Sequence, residues 1–195
     1  HGPQAPSVAA ARMAVSCGVG INNAMASGVN MLGDIHGGAG QQAVELFRDI
    51  SERLDGGVEP NQAVLDALEN WRKKRGGFIP GYGHRFHKEQ DPRSPRLLEL
   101  DDKAVEEEAI SGRFSAIALA VEDALAAEKG IKLPINIDGA TAVIFAEIGC
   151  SPILARGLFC LSRSVGILSH AYEQAEEGTR NKGPTPPSYG WNYEG

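Results

Sequence analysis

The feature that most constrains the fold is a succession of helix-length segments that end at glycine or proline, without any stretch of strand-like alternation. Apolar residues recur at helical spacing within these segments. Helices are predicted over residues 8–17, 21–32, 41–54, 61–74, 97–110, 114–129 and 152–176, and a further helix follows an extended segment at 134–141 and ends near residue 149. The sequence therefore predicts an all-α fold of about eight helices. Only residues near 135–137 are expected to be extended or strand-like rather than helical.

Polar residues mark several of the predicted helix starts. Ser7 is predicted to cap the first helix, and Asn61 is predicted to cap the fourth. Asp91 followed by proline indicates the start of the fifth helix, because apolar residues at helical spacing come directly afterwards.

The composition excludes several classes of function. The 195 residues suffice for one good-sized domain or two small ones. A net charge of −6, with no basic stripe, argues against nucleic acid or an anionic membrane as a partner. The longest apolar run, residues 152–168, contains Arg156 and Arg163, and is expected to be too short and too charged to cross a bilayer.

The cysteines indicate a reducing compartment. They are Cys17, Cys150 and Cys160. Their odd number and their lack of CxxC spacing predict neither a disulfide framework nor a zinc site. A cytoplasmic protein is therefore expected.

Segment 78–93 contains a higher density of residues suited to catalysis or ligand binding than any other stretch. A proline and two glycines at 80–83 bend the backbone and leave it uncovered, so that a ligand can approach closely. His84 follows within that turn, and Arg93 supplies a planar guanidinium suited to a carboxylate or a phosphate. The segment is the strongest candidate for a functional site, although a glycine-rich surface turn with an incidental histidine would have the same composition.

Gly-Tyr-Gly-His, ending at His84, is followed by Asp-Pro-Arg, ending at Arg93. This pattern resembles a signature of the citrate synthase superfamily, which includes citryl-CoA lyases and the lyase domain of ATP-citrate lyase. His36 in Asp-Ile-His-Gly-Gly and Asp138 in Asn-Ile-Asp-Gly match, in order and approximate spacing, the other two polar groups that the superfamily uses. The resemblance covers essentially the whole chain and corresponds to the C-terminal two-thirds of such a protein.

The resemblance implies a citrate synthase-like two-lobed helical fold, here without its N-terminal part. Segments 1–40 and 150–195 would belong to the large domain, and segment 41–149 would form a small domain that binds coenzyme A. The resemblance also implies a homodimer in which Arg180 lies near the active site of the neighbouring subunit.

By the same resemblance, His36, His84 and Asp138 are the catalytic residues. A thioester methyl group becomes a carbon nucleophile only if a base removes its α-proton and a donor stabilises the carbonyl oxygen. Asp138 is suited to be the base, and His36, which precedes a helix, is expected to stay neutral and to donate to the enolate oxygen. His84 would protonate the ketone oxygen of the second substrate. In the reverse direction it would take the proton of a tertiary alcohol while the carbon–carbon bond breaks.

A substrate with several carboxylates needs several cationic groups. The resemblance assigns Arg93, Arg163 and Arg180 to oxaloacetate or a citrate-type polycarboxylate, and it assigns His1 to the keto acid. Arg163 is unusual even without the resemblance, because a guanidinium within an apolar helix requires an anionic partner or access to solvent.

Coenzyme A, in the form of acetyl-CoA as a substrate, is expected along the backbone of 78–81, and no metal is expected. The residues assigned to it by resemblance are Phe78, Ile79, Gly81, Arg85, Lys88, Lys132 and Asn136. Arg85, Lys88 and Lys132 are candidates for its phosphates, and Asn136 is a candidate for its pantetheine arm.

Several of these residues also have a purely structural explanation. Asp138 before Gly-Ala-Thr is a good helix N-cap. A glycine-flanked histidine such as His36 commonly forms hydrogen bonds only within its own loop. Arg163 could form an internal ion pair with a glutamate such as Glu147.

The pattern mixes two branches of the superfamily. Segment 162–174 resembles the lyase domain of ATP-citrate lyase, whereas His36 is typical of the synthases. This mixture favours a citryl-CoA lyase slightly over a citrate synthase. The alternatives are a 2-methylcitrate synthase-like enzyme, a non-catalytic module that binds coenzyme A or polycarboxylates, and a metal enzyme that uses His84 and His87.

Overall fold

The computed structural model describes residues 2–84, 87 and 89–181. Within these residues it contains eight α-helices, and its only β-pairing is an isolated antiparallel bridge between Tyr82 and Ile135. The helices are α1 Pro6–Ser16, α2 Ile21–Asn30, α3 Ala39–Asp55, α4 Pro60–Arg75, α5 Ser94–Glu106, α6 Arg113–Lys129, α7 Ile137–Glu147 and α8 Pro152–Glu177. The all-α prediction is confirmed, and the extended piece predicted near 135–137 supplies one side of the bridge.

Two of the predicted helix starts are wrong, and proline explains both. α1 begins at Pro6, whose fixed φ suits the first helical position, so Ser7 lies inside the helix. α4 begins at Pro60, and its cap is the side chain of Glu59, which accepts a hydrogen bond from a backbone N–H in the first turn. Asn61 therefore lies within α4 and does not cap it.

The chain divides into two compact units. The central unit is Gly38–Leu158, and the terminal unit combines His1–Gly37 with Phe159–Gly195. The boundaries between these units fall after residue 37 and within α8, whereas the predicted domains divide after residues 40 and 149. The assignment of these segments to a large domain and a coenzyme A-binding domain stays a prediction.

α3 forms the centre of the core in the central unit. Its Val44, Phe47 and Ile50 have no exposed surface, and their spacing of three residues places them on one side of the helix. α7, in which Ala142 and Val143 are fully buried, packs against α3 and also contacts α5 and α6. The first turn of α7 is thereby anchored to the core of the unit.

The terminal unit has a smaller core, in which α1 packs against α2. Its buried apolar residues are Val8, Ala11, Ala24, Ile167 and Ala171. The packing is close, because a Cβ added to Gly28 would lie 2.7 Å from the Ser7 carbonyl oxygen and 2.8 Å from a methyl carbon of Ile167. Small residues in α1 and α2 thus allow the two helices and the second half of α8 to approach each other.

α8 exposes much of its apolar surface. Four of its large side chains in the terminal unit are between 41% and 68% exposed, namely Leu161, Val165, Leu168 and Tyr172. Among the described helices, α8 alone is long and apolar enough to cross a membrane, although Arg156 and Arg163 were expected to prevent this. One such helix is weak evidence for a membrane span, because helices of soluble proteins also meet this criterion.

Candidate functional site

Two segments that are distant in sequence are joined by hydrogen bonds at the start of α7. The N–H of Asn136 donates to the Gly81 carbonyl oxygen at 2.9 Å, and the N–H of Gly83 donates to the Pro134 carbonyl oxygen at 2.8 Å. The Asn136 side-chain amide donates to the Gly83 carbonyl oxygen at 2.7 Å. These bonds hold the turn before His84 against the beginning of α7.

The first N–H groups of α7 all have side-chain acceptors. Asn136 is the N-cap, and its Oδ1 accepts from the N–H groups of Asp138 at 2.9 Å and Gly139 at 3.1 Å. The N–H of Ile137 donates to Asp91 Oδ2 at 3.0 Å. Helix starts leave such donors without an internal partner, so this arrangement fixes the first turn. The alternative that Asp138 caps α7 is wrong, since Asn136 does so.

Arg93 is held by a carboxylate of its own motif. Its Nε donates to Asp91 Oδ1 at 2.9 Å and its Nη2 donates to Asp91 Oδ2 at 2.8 Å, which makes a bidentate pair. Asp91 is buried, whereas 42% of the Arg93 side chain is exposed. α5 begins at Ser94, so Asp91 and Pro92 lead into this helix as the sequence indicated, and the Asp91 side chain is in addition the hydrogen-bond acceptor for Arg93.

His84, Arg93 and Asp138 lie within electrostatic reach of one another. Burial lowers the pKa of His84 below its usual value of 6.5, and the charges of His87 and Arg93 lower it further, whereas Asp91 and Asp138 oppose this shift. The hydrogen bonds that Arg93 donates to Asp91, and the charges of Asp91 and Asp138, raise the pKa of Arg93 against the effect of burial. The central unit thus brings together three of the residues that the sequence singled out.

The surroundings of His84 select one tautomer. The N–H of His87 donates to Nδ1 of His84 at 3.2 Å, and the two rings stack with their centroids 4.6 Å apart. Because Nδ1 accepts this bond, the proton of the neutral imidazole lies on Nε2, which can donate to a ligand. Among the described residues, no group of three or more His, Cys, Asp or Glu side chains is arranged to hold a metal ion.

His36 lies in the terminal unit, in the loop between α2 and α3. Its Nε2 accepts a hydrogen bond from the Ser7 N–H at 3.2 Å and lies 3.0 Å from Ser7 Oγ. The proton of the neutral ring is therefore on Nδ1. Burial lowers the pKa of His36, and the Arg163 guanidinium lowers it further. The sequence analysis also expected the His36 ring to be neutral, but it attributed this to the dipole of the following helix rather than to burial and Arg163.

Arg163 is half-buried in α8, and Phe159 lies beside it. The guanidinium carbon is 5.1 Å from the centroid of the Phe159 ring, which is within the range of a cation–π contact. The same ring approaches the loop of His36, because a Cβ on Gly37 would lie 2.7 Å from Phe159 Cε1. Glu147, which was considered as an ion-pair partner of Arg163, accepts hydrogen bonds from the turn before α6 and from the first turn of that helix.

A cavity of about 700 Å³ opens beside His84 in the central unit. Of the residues assigned to coenzyme A, Phe78, Ile79, Lys132 and Asn136 line it, together with Lys129, which the sequence did not single out. Gly81 is buried and is not among the lining residues. Arg85 and Lys88 lie outside the described residues.

Arg180 and His1 are the remaining predicted site residues. Arg180 is exposed after the end of α8 and, with Cys17 and Gln174, lines a separate cavity of about 250 Å³ in the terminal unit. His1 lies outside the described residues. The predicted site residues thus fall into two sets: His84, Arg93 and Asp138 in the central unit, and His36, Arg163 and Arg180 in the terminal unit.

Several residues that shape the site were assigned other roles from the sequence. Asp91 was placed at a helix start, Asn136 was assigned only to coenzyme A, and Ser7 was predicted to be a cap. The position of Asp91 two residues before Arg93 was a local signal of a carboxylate–guanidinium pair. The contact of Ser7 with His36 and that of Phe159 with Arg163 had no comparable local signal.

Comparisons with known proteins agree on one family. The family model described as "Citrate synthase, C-terminal domain" matches residues 1–183. Citrate synthase from Haloferax volcanii is 30% identical over 156 residues, which are 80% of this chain and 38% of that protein. The structure of citryl-CoA lyase from Hydrogenobacter thermophilus matches with a TM-score of 0.80 and 32% identity, over 100% of this chain and 72% of that chain.

A second lyase structure gives a similar result. ATP citrate lyase from Methanothrix soehngenii, solved in complex with citrate and coenzyme A, matches with a TM-score of 0.73 and 26% identity. That match covers 100% of this chain and 32% of the lyase. This chain therefore spans only part of the length of its relatives. Because the family model covers nearly the whole sequence and the helical fold is shared, the chain belongs to the citrate synthase family.

Proposed function

We propose that this chain carries the catalytic part of an enzyme that makes or breaks the carbon–carbon bond between the enol of acetyl-CoA and oxaloacetate, with citryl-CoA as intermediate or substrate. The observation that carries the proposal is the electrostatic proximity of His84, Arg93 and Asp138, of which His84 lines a cavity of about 700 Å³. An acid, an anion-binding group and a base are the functions that this reaction requires. Membership of the citrate synthase family agrees with this chemistry.

In bond formation, the Asp138 carboxylate removes a proton from the thioester methyl group of acetyl-CoA. The resemblance assigns His36 to the thioester oxygen, which gains negative charge as the enol forms, and Nδ1–H of this ring is the donor that such a role requires. The enol carbon attacks the ketone carbon of oxaloacetate. The ketone oxygen takes a proton from Nε2 of His84 while solvent delivers a proton to Nδ1, so the ring ends neutral, and Asp138 releases to solvent the proton that it removed. The product is citryl-CoA, and Arg93 binds a carboxylate of oxaloacetate throughout.

In bond cleavage, the same groups act in reverse. The tertiary hydroxyl of citryl-CoA gives its proton to Nε2 of His84, the carbon–carbon bond breaks, and Asp138 returns a proton to the enol carbon. The hydrogen bond from His87 keeps the proton of the neutral ring on Nε2, which is the form that bond formation requires. Cleavage requires the other neutral tautomer, with the proton on Nδ1 and Nε2 free to accept, so the hydrogen bond from the His87 N–H to Nδ1 must break before the reverse reaction.

Coenzyme A would occupy the cavity lined by Phe78 and Asn136. The Phe78 side chain is 65% exposed at the cavity, and an exposed aromatic ring is suited to stacking on a base. Lys132 is also exposed at the cavity, and its Nζ lies 3.5 Å from Glu122. A phosphate bound by Lys132 would therefore compete with this carboxylate, so Lys129 is a second candidate for a phosphate contact.

Two observations favour different activities within this chemistry. Citryl-CoA lyase is matched over the larger share of its length, 72%, which favours cleavage. The Haloferax volcanii relative is a citrate synthase, which favours condensation followed by hydrolysis. Supplying citryl-CoA separates the two, since a lyase releases oxaloacetate and acetyl-CoA, whereas a synthase releases citrate and coenzyme A.

The Asp138→Asn variant tests the assignment of the base. Turnover should fall by about 10²–10⁴-fold, because proton transfer in the transition state is lost. The affinity for acetyl-CoA should stay within about tenfold, because the carboxylate is not needed for binding. Asp123→Asn, an exposed change on α6, is the matched control and should leave both quantities unchanged. Full turnover in Asp138→Asn would refute this role.

The alternatives give different results with the unmodified chain. A non-catalytic binding module would bind coenzyme A but would not exchange the methyl protons of acetyl-CoA with solvent. A 2-methylcitrate synthase-like enzyme would prefer propionyl-CoA, although one methylene changes a pocket's preference by only about 1–3 kcal/mol. Comparing acetyl-CoA with propionyl-CoA in the same exchange assay distinguishes these cases.

We also propose that the chain forms a homodimer. The exposed side chains of Leu161, Val165, Leu168 and Tyr172 follow one another at intervals of four, three and four residues, so they share one face of α8. An apolar surface of this kind is commonly an interface. Leu161→Glu should convert a sedimenting dimer to a monomer, while Leu65→Glu on the exposed side of α4 should not.

A further inference from the structure

The side chain of Asp91 is a buried carboxylate with four hydrogen bonds. Its exposed fraction is 1%. Oδ1 accepts from the N–H of Arg93 at 3.1 Å and from its Nε at 2.9 Å. Oδ2 accepts from Nη2 of Arg93 at 2.8 Å and from the N–H of Ile137 at 3.0 Å. Both oxygens therefore have two donors, so the cost of burying the carboxylate is offset.

These bonds keep Asp91 ionised. Burial alone would raise the pKa of the Asp91 carboxyl, but the hydrogen bonds from Arg93 and Ile137 outweigh it and lower the pKa to about 2. The charge is therefore present at every pH at which an enzyme of this kind would work. A permanent negative charge at the start of α7 also interacts favourably with the helix dipole.

Asp91 connects two parts of the central unit that are distant in sequence. Arg93 is two residues away, whereas Ile137 is 46 residues away and directly precedes Asp138. One carboxylate thus fixes both the guanidinium assigned to the substrate and the helical turn that carries the assigned base.

We infer that Asp91 is a positioning residue for the reaction: it orients Arg93 towards a substrate carboxylate and fixes the turn of α7 that carries Asp138. This inference rests on the proposed function. Asp91 itself does not touch the substrate, because its oxygens are occupied and its surface is buried.

The orientation of Arg93 follows from the geometry of its guanidinium. The Nε–Nη2 edge of the Arg93 guanidinium faces Asp91, so the Nη1–Nη2 edge remains available to a ligand. The Arg93 side chain is 42% exposed. An anionic ligand can then be bound through two parallel N–H groups of that edge. Because Asp91 has already fixed the side chain, less conformational entropy is lost when the ligand binds.

Asp91→Asn tests the inference, and the chain supplies a matched control. Asp49 forms a similar bidentate pair with Arg53 on α3, so Asp49→Asn removes an equivalent charge elsewhere in the central unit. We expect Asp91→Asn to raise the KM for oxaloacetate about tenfold or more, with the affinity for coenzyme A unchanged within about twofold. Asp49→Asn should change neither quantity.

Two further variants separate positioning from general stability. If Asp91 acts on the substrate through Arg93, the double variant Asp91→Asn with Arg93→Gln should raise the KM for oxaloacetate no more than Arg93→Gln does alone. Asp91→Glu, which keeps the charge, should recover part of the lost affinity. Effects of the two single changes that multiply in the double variant would overturn the link to Arg93.

The link to α7 has a readout that does not depend on activity. Asp91→Asn should speed hydrogen exchange at the Ile137 amide by about tenfold or more, whereas Arg93→Gln should leave it nearly unchanged. Unchanged exchange at Ile137 in Asp91→Asn would overturn the inference.

If the unmodified chain neither binds oxaloacetate nor turns over citryl-CoA while the exchange responds as expected, the proposed function fails and the connection made by Asp91 is supported. If Asp91→Asn does not fold, the same measurements on Asp91→Glu decide the question, since unaltered exchange and KM would refute the role.

Discussion

The backbones of Gly81 and Gly139 are in direct contact, and no side chain separates them. A Cβ added to Gly139 would lie 2.3 Å from the Gly81 carbonyl oxygen, and a Cβ added to Gly81 would lie 2.9 Å from Gly139 Cα. Gly81 also has φ +88°, which other residues rarely adopt. The distance between the turn of His84 and the helix of Asp138 therefore depends on both glycines.

Gly139→Ala should separate the turn of His84 from α7. The added methyl group meets backbone atoms that cannot rotate away, so we expect a loss of about 1–3 kcal/mol in the free energy of unfolding. Turnover should fall more than this loss alone would cause, because His84 and Asp138 move apart. Chemical denaturation and steady-state kinetics measure the two effects.

Gly157→Ala is the control for this substitution. Gly157 is an exposed helical residue of α8 with no atom near the position of a Cβ. Alanine there should stabilise the chain by about 0.5–1 kcal/mol without affecting turnover. If Gly139→Ala is as stable and active as the parent chain, the two backbones are not in contact.

The pH dependence should reflect the low pKa of His84. Folding favours the neutral ring, so the unfolded chain takes up a proton first as the pH falls below the usual value of 6.5. The stability contributed by His84 should be retained above pH 6.5 and lost as the pH falls from there towards the folded pKa. The rate of bond formation should fall only at the lower pH at which the ring of the folded chain takes up a proton. NMR titration of the histidine ring and a pH–rate profile measure these changes.

His87→Gln should raise the pKa of His84. It removes a ring charge that lowers this pKa but keeps the backbone N–H that donates to Nδ1. The acidic limb of the pH–rate profile should shift to higher pH in parallel. His170→Gln, on α8, is the control. An unshifted His84 titration in His87→Gln would show that the two rings do not interact.

Arg163→Leu should have two consequences. The KM for oxaloacetate should rise about tenfold to a hundredfold, while the affinity for coenzyme A changes little, because a charged hydrogen bond contributes about 1.5–3 kcal/mol. The pKa of His36 should also rise towards 6.5, since the guanidinium lowers it, although burial still opposes protonation. Arg96→Leu, a change at an exposed side chain of α5, is the control. Equal losses of affinity for both ligands would contradict the carboxylate role.

The helices could be predicted because their signals are local. Apolar spacing and glycine stops gave all eight described helices within a few residues. The errors at Ser7 and Asn61 arose where a capping residue stands next to a proline, and the proline set the start. In Asn-Ile-Asp-Gly both Asn136 and Asp138 are good caps by local rules, and only the structure shows that Asn136 is the cap.

The contacts that arrange the site could not be predicted in the same way. The sequence motifs identified His84, Arg93 and Asp138 one by one as candidate site residues. They did not indicate the hydrogen bond from Ile137 to Asp91, because these two residues are 46 positions apart. The low pKa of His36 was expected for a different reason, because the approach of Arg163 depends on how α8 packs in the terminal unit. Such pairings are properties of tertiary packing, for which a single sequence carries no periodic signal.

Phe78→Ala should weaken coenzyme A binding without destabilising the chain. The backbone of Phe78 is held by a hydrogen bond from Trp71 Nε1 to its carbonyl oxygen at 3.0 Å, while its ring is 65% exposed at the cavity. Losing a base-stacking contact should reduce the affinity by about 1–3 kcal/mol, which isothermal titration calorimetry measures. The free energy of unfolding should change by no more than about 0.5 kcal/mol, because little surface is buried. Leu65→Ala, at a residue of α4 that is 52% exposed, should alter neither quantity. Undiminished affinity in Phe78→Ala would place the base of coenzyme A elsewhere.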